Sequence, residues 1–465
     1  MRKTDSLLRN ERWVRPCSPV NALCAAYPGS YKEASSSLGF HFALTCGGSA
    51  TLRAERTFSP AREPLMKASG LSSPLRTLES GRGAAGVMAI FLSVAYEPQV
   101  FQVIEILRAC GIGVLKEERN ERDPLVIAGG ACTLSNPDLL VPFADAVVAG
   151  DGEGILGELA AGVLRGAGRE EVLERLGRCG AAIMGEESLA SYELAQAPLD
   201  ALPASSAYVT PGAVFSRMFL VEVMRGCPHA CAFCIMASRR TRRKTQFVPA
   251  RRVLDAVPGW AARVGLVGAS VLDHPEIDEI LAALNERGVE LGLSSMRAGR
   301  LDRARAGRLA AGGLKAATVA IDAPSERIRA RIRKPSRRED VVAAAVNVKE
   351  AGIRKLRLYA LVGFEGEEEK DHAELADTCR ELSSILPLTV SLGPVVPKRF
   401  TPLEAMEFVE KKRYEACVAF LKNRLKGAGV INAESWRGAR QEYLLGRCGV
   451  EEARRLPETM TMKVG

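Results

Sequence analysis

The stretch Arg225-Gly226-Cys227-Pro228-His229-Ala230-Cys231-Ala232-Phe233-Cys234 packs three cysteines into eight residues, at positions i, i+4 and i+7. Three thiolates on one loop can hold three irons of a [4Fe–4S] cube and leave the fourth iron open to an outside ligand. Two blander readings compete, a zinc site and three thiols that are merely buried. A structural zinc wants four ligands at other spacings, and His229 sits inside the loop without a second ligand pair. The other nine of the twelve cysteines form no tight pair. In a chain with no recognisable secretory leader they read as buried thiols, not disulfides.

A strand must deliver this loop, and the pattern supplies one. Met218–Met224 begins a β/α series whose further strands are expected at Arg263–Val267, Val289–Ser294, Ala316–Ile321, Ile353–Val362 and Leu388–Val395. Six parallel strands with intervening helices suggest a partial (β/α)6 barrel of the TIM type, over residues 217–400, with its chemistry at the strands' C-terminal ends. Ahead of it, apolar strands at Leu23–Tyr27, Val87–Tyr96, Leu125–Ala128 and Asp145–Ala149 alternate with helical stretches at Gln99–Cys110 and Gly152–Leu164, while 47–80 reads as irregular. That is a Rossmann-like α/β domain over 22–165. Residues 1–21 read as a flexible arm, 166–216 as a Gly/Pro/Ser-rich connector and 401–465 as a helical C-terminal extension.

At 465 residues with 47% hydrophobic and 26% charged, the chain is globular and too long for one ordinary domain. Its longest apolar runs, such as Val87–Leu92 and Val341–Val346, fall far short of the roughly 18 residues of a membrane span. A cytoplasmic protein is expected. The net charge is +9, and residues 217–340 alone hold 24 Lys or Arg against 13 Asp or Glu. A basic face of this kind suits an anionic substrate or an acidic protein partner. No aromatic residues interleave the basic runs, so nucleic acid is not expected. In the run Arg239-Arg240-Thr241-Arg242-Arg243-Lys244 one arginine can pair with a carboxylate, and Arg329, Arg331, Arg333, Lys334, Arg337 and Arg338 read as a solvated surface.

The Cys-x3-Cys-x2-Cys loop, with Phe233 before its last cysteine, resembles the signature of radical S-adenosylmethionine (SAM) enzymes. The resemblance implies a [4Fe–4S] cluster on Cys227, Cys231 and Cys234 whose open iron is chelated by SAM. Reduction then yields methionine and a 5′-deoxyadenosyl radical that abstracts hydrogen, chemistry that belongs to the cofactors. The strand-end turns are similar to the family's SAM contacts. They are Gly268-Ala269-Ser270, which lacks the family's usual acid, Ser294-Ser295-Met296-Arg297, Asp322-Ala323-Pro324-Ser325, and Leu361-Val362-Gly363-Phe364-Glu365-Gly366-Glu367. They imply SAM-binding roles for Phe233, Gly268, Ser270, Ser295, Arg297, Asp322, Ser325 and Gly363.

The leading domain resembles cobalamin-binding-type domains fused ahead of radical SAM cores, through Asp123–Gly130, Asn136-Pro137-Asp138 and Asp145–Glu153. This implies a cobalamin site at Gly129, Gly130, Gly152 and Glu153. The usual Asp-x-His-x-x-Gly lower-ligand motif is absent, and His41 is the domain's one histidine. The implied function is a radical SAM enzyme moving a methyl group or effecting a rearrangement on a small-molecule, lipid or peptide substrate. Its electron donor would be an acidic flavodoxin or ferredoxin. The alternatives are a cobalamin-free radical SAM enzyme, a tRNA methylthiotransferase, whose three further cluster cysteines are not apparent here, and a non-enzymatic iron–sulfur scaffold. No catalytic side chain is identifiable.

Overall fold

The computed structural model describes residues 8–15, 17–49, 51–68, 70–238, 240 and 245–461. The chain divides into two units, one running to Leu220 and taking in the segment from Leu445 onward, the other spanning Val221–Leu444.

The first unit is built on β1 (Ser18–Tyr27), β2 (Leu52–Phe58), β3 (Ala89–Ser93), β4 (Leu125–Gly129), β5 (Ala146–Val148) and β6 (Ala182–Ile183), in the order β2-β1-β3-β4-β5-β6. The first five are parallel and β6 is antiparallel. Without its edge strand this is the flavodoxin-like order, whose switch point lies between β1 and β3. β3 and β5 are buried at every position, as strands covered on both faces must be. The helix Val100–Cys110 buries Val100, Val103, Ile104 and Leu107 along one stripe and ends on Gly111 at φ +78°.

Several expected limits shift. β2 lies in the stretch read as irregular, because its Arg53, Glu55 and Arg56 disguise a strand. The Arg56 side chain is wholly buried, with Nη1 and Nη2 donating to the Glu11 carboxylate (2.7 and 2.9 Å) and Nε to Glu79 (2.6 Å). Its guanidinium also lies 4.8 Å from the Tyr208 ring centroid. Residues 1–7 of the expected arm lie outside the described residues, and the part from Glu11 onward is not loose: Glu11 is a buried partner, Arg12–Trp13 pairs with Tyr208–Val209, and β1 starts at Ser18. The connector supplies the helix Arg169–Gly177 and the edge strand β6. The C-terminal extension is split, its last part held by Asn136 Nδ2, which donates to the carbonyls of Leu445 and Cys448 at 2.8 Å each.

His41 is fully buried. Its Nδ1 accepts from the Ala207 N–H and its Nε2 faces the Ser35 carbonyl, each at 3.2 Å. Burial pushes its pKa down to about 4, so below pH ~6.5 the unfolded chain takes up a proton that the folded chain refuses. Stability from this group is complete above pH ~6.5 and is lost as pH falls toward 4. Urea unfolding should show about 2 kcal/mol lost between pH 7 and pH 5, and His41→Gln should remove that component. An unchanged pH slope in the variant would show that His41 is not the source.

The second unit carries β7 (Phe219–Glu222), β8 (Arg263–Val267) and β9 (Glu290–Leu293) in one sheet, and β10 (Ala316–Asp322), β11 (Lys355–Val362), β12 (Leu388–Pro394) and β13 (Val430–Ala433) in another. The β8–β9 pair and the whole second sheet are parallel. A bridge between Met296 and Val319, with the Met296 N–H donating to the Thr318 carbonyl at 2.8 Å, carries one sheet into the next. The six expected strands are present, and β13 adds a seventh from the part read as helical. The helices Ile277–Glu286 and Arg338–Glu350 bury residues at i, i+3, i+4 and i+7 (Ile277, Ile280, Leu281, Leu284; Val341, Ala344, Ala345, Val348). β11 alternates strictly, with Leu356, Leu358, Ala360 and Val362 buried and Lys355, Arg357 and Tyr359 exposed. Among the described residues no helix is long and apolar enough to cross a membrane.

Candidate active site

β7 delivers the cysteine loop. Arg225, clamped to Glu222 by two bonds of 2.8 and 2.7 Å, pairs with Gln246 in a short antiparallel ribbon, and Gly226 turns the chain at φ +79°. The loop is tied down at its far side: the Ala232 N–H donates to the Ile332 carbonyl (2.8 Å), and Phe233 meets Phe364 edge-on at 6.4 Å. Ala232 is buried in a small apolar cluster with Ala323, Ile328, Ile332 and Phe364.

Burial raises the pKa of all three thiols, that of Cys231 to about 11, and the thiols of Cys231 and Cys234 are raised further by their neighbouring cysteines. Other groups work the opposite way. The backbone N–H of His229 bonds the Cys227 sulfur, that of Met236 bonds the Cys234 sulfur, and Lys334 favours the thiolate at all three. Among the described residues no three His, Cys, Asp or Glu side chains converge on a single ion. A cubane asks for something else, since each thiolate binds a different iron. Three close thiols with N–H donors to sulfur and a cation beside them fit that group, whose bound iron would replace the thiol protons.

Asp273 ties the strand ends to this loop. It accepts from His229 Nε2 (2.9 Å), Arg297 Nε (3.0 Å) and the Ser270 hydroxyl, and pairs with Arg300 (2.9 Å). Burial pushes this carboxyl up, but the bonds from Arg297, Ser270 and His229 outweigh it and hold it well below the usual range. Asp322, at φ +62° beyond the irregularity in the β10–β11 register, pairs with Lys334. The structure thus brings Ser270, Arg297 and Asp322 together with the three cysteines. Asp273, His229 and Lys334 join them; sequence reasoning had set aside His229 and Lys334 and overlooked Asp273. Asp273 stands three residues past Ser270, a signal that the search for an acid at position 270 itself passed over. Lys334 and Arg329 are not solvated surface: Arg329 is buried with bonds to the Ser336 and Ala323 carbonyls.

Other expected residues have scaffold contacts of their own. Ser325 is buried, donating to Asp371 (2.6 Å) and capping the helix Glu326–Arg331. A Cβ at Gly268 would lie 2.5 Å from Met224 Cγ, and one at Gly363, where φ is +92°, 2.8 Å from Val409 Cβ. Both glycines are dictated by close packing. Ser295 is half-buried in the loop after β9. Of the basic run 239–244 only Arg240 lies within the described residues, its guanidinium 4.4 Å from the Phe400 ring centroid.

Residues 221–379 match the family described as the radical SAM superfamily, and residues 47–182 match that of radical SAM proteins, N-terminal. The chain belongs to the radical SAM superfamily. Membership of this superfamily implies a [4Fe–4S] cluster and SAM as cofactors. An uncharacterised protein of Methanocaldococcus jannaschii is 27% identical over 370 residues, 77% of each chain. Among solved structures, the fold is similar to that of the cobalamin-dependent SAM radical enzyme OxsB with aqua-cobalamin and SAM bound (TM-score 0.54, 13% identity) and to the apo form of the same enzyme (TM-score 0.55, 12% identity). Each match covers 88% of this chain, which spans only 56% and 55% of those OxsB chains.

In the radical SAM protein's first unit the expected cobalamin residues lie along the C-terminal rim of the sheet. Gly129 ends β4, and Gly130, at φ +109°, brings its Cα so close to Val94 that a Cβ would sit 2.4 Å from the Val94 carbonyl oxygen. A bulky residue at Gly130 would break the turn itself, so such a variant cannot report on a ligand. Gly152 packs beneath Phe42. Glu153 lines a cleft, open to solvent, with Ile155, Leu159, Val172, Leu176 and Arg175. His41 has both ring nitrogens engaged by backbone and is not placed to ligate a metal.

Proposed function

We propose that Cys227, Cys231 and Cys234 hold the cluster, that SAM lies over the C-terminal ends of β8–β11, and that the first unit presents cobalamin for methyl transfer or rearrangement. The observation that carries the reading is the cysteine loop itself: three thiols at a strand's C-terminal end, with Lys334 favouring the thiolate at each. The cluster and SAM together supply a carbon-centred radical when reduced. The chain's own residues do the rest. Arg297, held by Asp273 and half-buried, offers a guanidinium edge to a carboxylate. Lys334 offsets the negative charge of the thiolates. Phe233 and Phe364 form an apolar wall that keeps water from the loop. The basic surplus of residues 217–340 supports an acidic flavodoxin or ferredoxin as electron donor.

The cobalamin part is supported by the flavodoxin-like strand order, whose switch-point rim is where such sheets take ligands, and by the fold shared with OxsB. One observation favours the cobalamin-free reading: Tyr27 and Phe40 pack edge-on at 5.6 Å, both buried, at the C-terminal end of β1 beside that switch point. Gel filtration after anaerobic incubation with hydroxocobalamin decides between them. Corrin absorbance should co-elute with the protein, equally in His41→Gln, because no histidine–cobalt bond is involved. Absence of co-eluting corrin would leave the cobalamin-free enzyme.

A further inference from the structure

In the second unit's four-stranded sheet β10 and β11 bury alternate residues, and the residues between them stand on an opposite, less buried face. Along β10 to β13 that face is a wall organised in rungs. Ala320, Tyr359, Ser391 and Asn432 stand side by side in register, and the next rung toward the C-terminal ends holds Leu361 and Gly393. Glu434 continues β13 into that rung, its N–H donating to the Leu392 carbonyl at 2.8 Å. Its carboxylate folds over Gly393, where a Cβ would lie 2.5 Å from Oε2. Gly393, having no side chain, leaves room for that carboxylate, and Glu434 itself stays exposed at the end of β13. Tyr414 fixes the strand end by donating its hydroxyl to the Glu434 carbonyl (2.9 Å).

None of the side chains of Tyr359, Ser391, Asn432 and Glu434 has a hydrogen-bond or ion-pair partner among the described residues. Tyr359 is 44% exposed. Glu442, the carboxylate beside Glu434, is satisfied by Lys398 at 2.6 Å, and burial together with Glu442 raises the pKa of Glu434. The wall lies next to the chemistry: Leu361, which flanks Gly393, packs on the same apolar cluster as Phe233 of the cysteine loop.

We propose that this wall receives the substrate and that the substrate is a polar amine, its ammonium paired with Glu434 and its other polar groups meeting Tyr359, Ser391 and Asn432. A hydrocarbon chain laid here would desolvate a carboxylate and three hydrogen-bonding groups without replacing their water, which is costly. An ammonium satisfies the carboxylate as it is covered. The inference rests on the reading that radical chemistry occurs at the cysteine loop, and its test reports separately.

Protein carrying its cluster and SAM is titrated by saturation-transfer NMR with phenethylamine, phenylacetate and 2-phenylethanol, three probes that share a ring and differ in charge. Phenethylamine should bind in preference to the other two, and about tenfold more weakly to Glu434→Gln, the worth of a charge-assisted hydrogen bond. Gly393→Ala, which displaces the carboxylate, should weaken it as well. No binding of phenethylamine to the wild type, equal affinity in Glu434→Gln, or preference for phenylacetate would overturn the proposal. SAM cleavage measured on the same samples reports on the cysteine loop alone. Its failure would sink the radical reading, while the titration would still judge Glu434.

Discussion

Alanine at any one of Cys227, Cys231 or Cys234 is expected to take anaerobically reconstituted protein from about four irons per chain to near none. SAM cleavage should fall to the level of cluster-free protein. Each thiolate binds a separate iron, and the described residues offer no other cysteine that shares electrostatic contact with this trio. The nearest polar neighbours cannot substitute: His229 is engaged by Asp273 and Asp322 by Lys334. Burial raises the thiols' pKa values, so an orphaned pair would remain protonated and bind iron poorly. Iron analysis and visible absorbance check this directly. A full complement of iron in the triple alanine variant would remove these residues from the site.

Arg56→Ala should be the most damaging substitution in the first unit. The guanidinium is the shared partner of Glu11 and Glu79 and is itself wholly buried. Its removal leaves two carboxylates inside the protein, one of them nearly inaccessible, with their principal cation gone. Breaking a buried pair in this way costs about 3–5 kcal/mol, a large part of the roughly 5–15 kcal/mol that holds a domain together. Arg56→Lys should recover only part of the loss, because a point charge cannot serve both carboxylates in fork geometry. Chemical denaturation monitored by circular dichroism measures both variants. A loss below about 1 kcal/mol for Arg56→Ala would mean that the network is an incidental consequence of packing.

The same residue explains what the sequence concealed. Apolar runs such as Ala89–Ser93 and Leu125–Gly129 declare themselves as buried strands, and the cysteine spacing points to its own loop. β2 carries Arg53, Glu55 and Arg56 at positions that read as solvated, and only the partners Glu11 and Glu79, 45 and 23 residues distant from Arg56, neutralise its charge. No local pattern contains that information. β13 was hidden differently: four residues, mostly exposed, beside long charged helices give neither period a chance to show. At the site, the strand-end turns were legible as turns, but the division of labour within them was not. Ser325 and Gly363 look like ligand positions in sequence, and the structure gives each a packing role besides, as a helix cap and a close-packing point. Asp273 stands in the sequence three residues past the turn it serves, but its role as the shared partner of His229, Ser270 and Arg297 becomes visible only when two strand ends and the cysteine loop meet in space.

Cleavage of SAM through a cluster held by the Cys227–Cys234 loop, as proposed here, is read from the products that anaerobically reconstituted protein forms with SAM and dithionite. 5′-Deoxyadenosine and methionine should appear in equal amounts, with none from the triple cysteine variant. A protein that holds a complete, reduced cluster and yields no 5′-deoxyadenosine would contradict it.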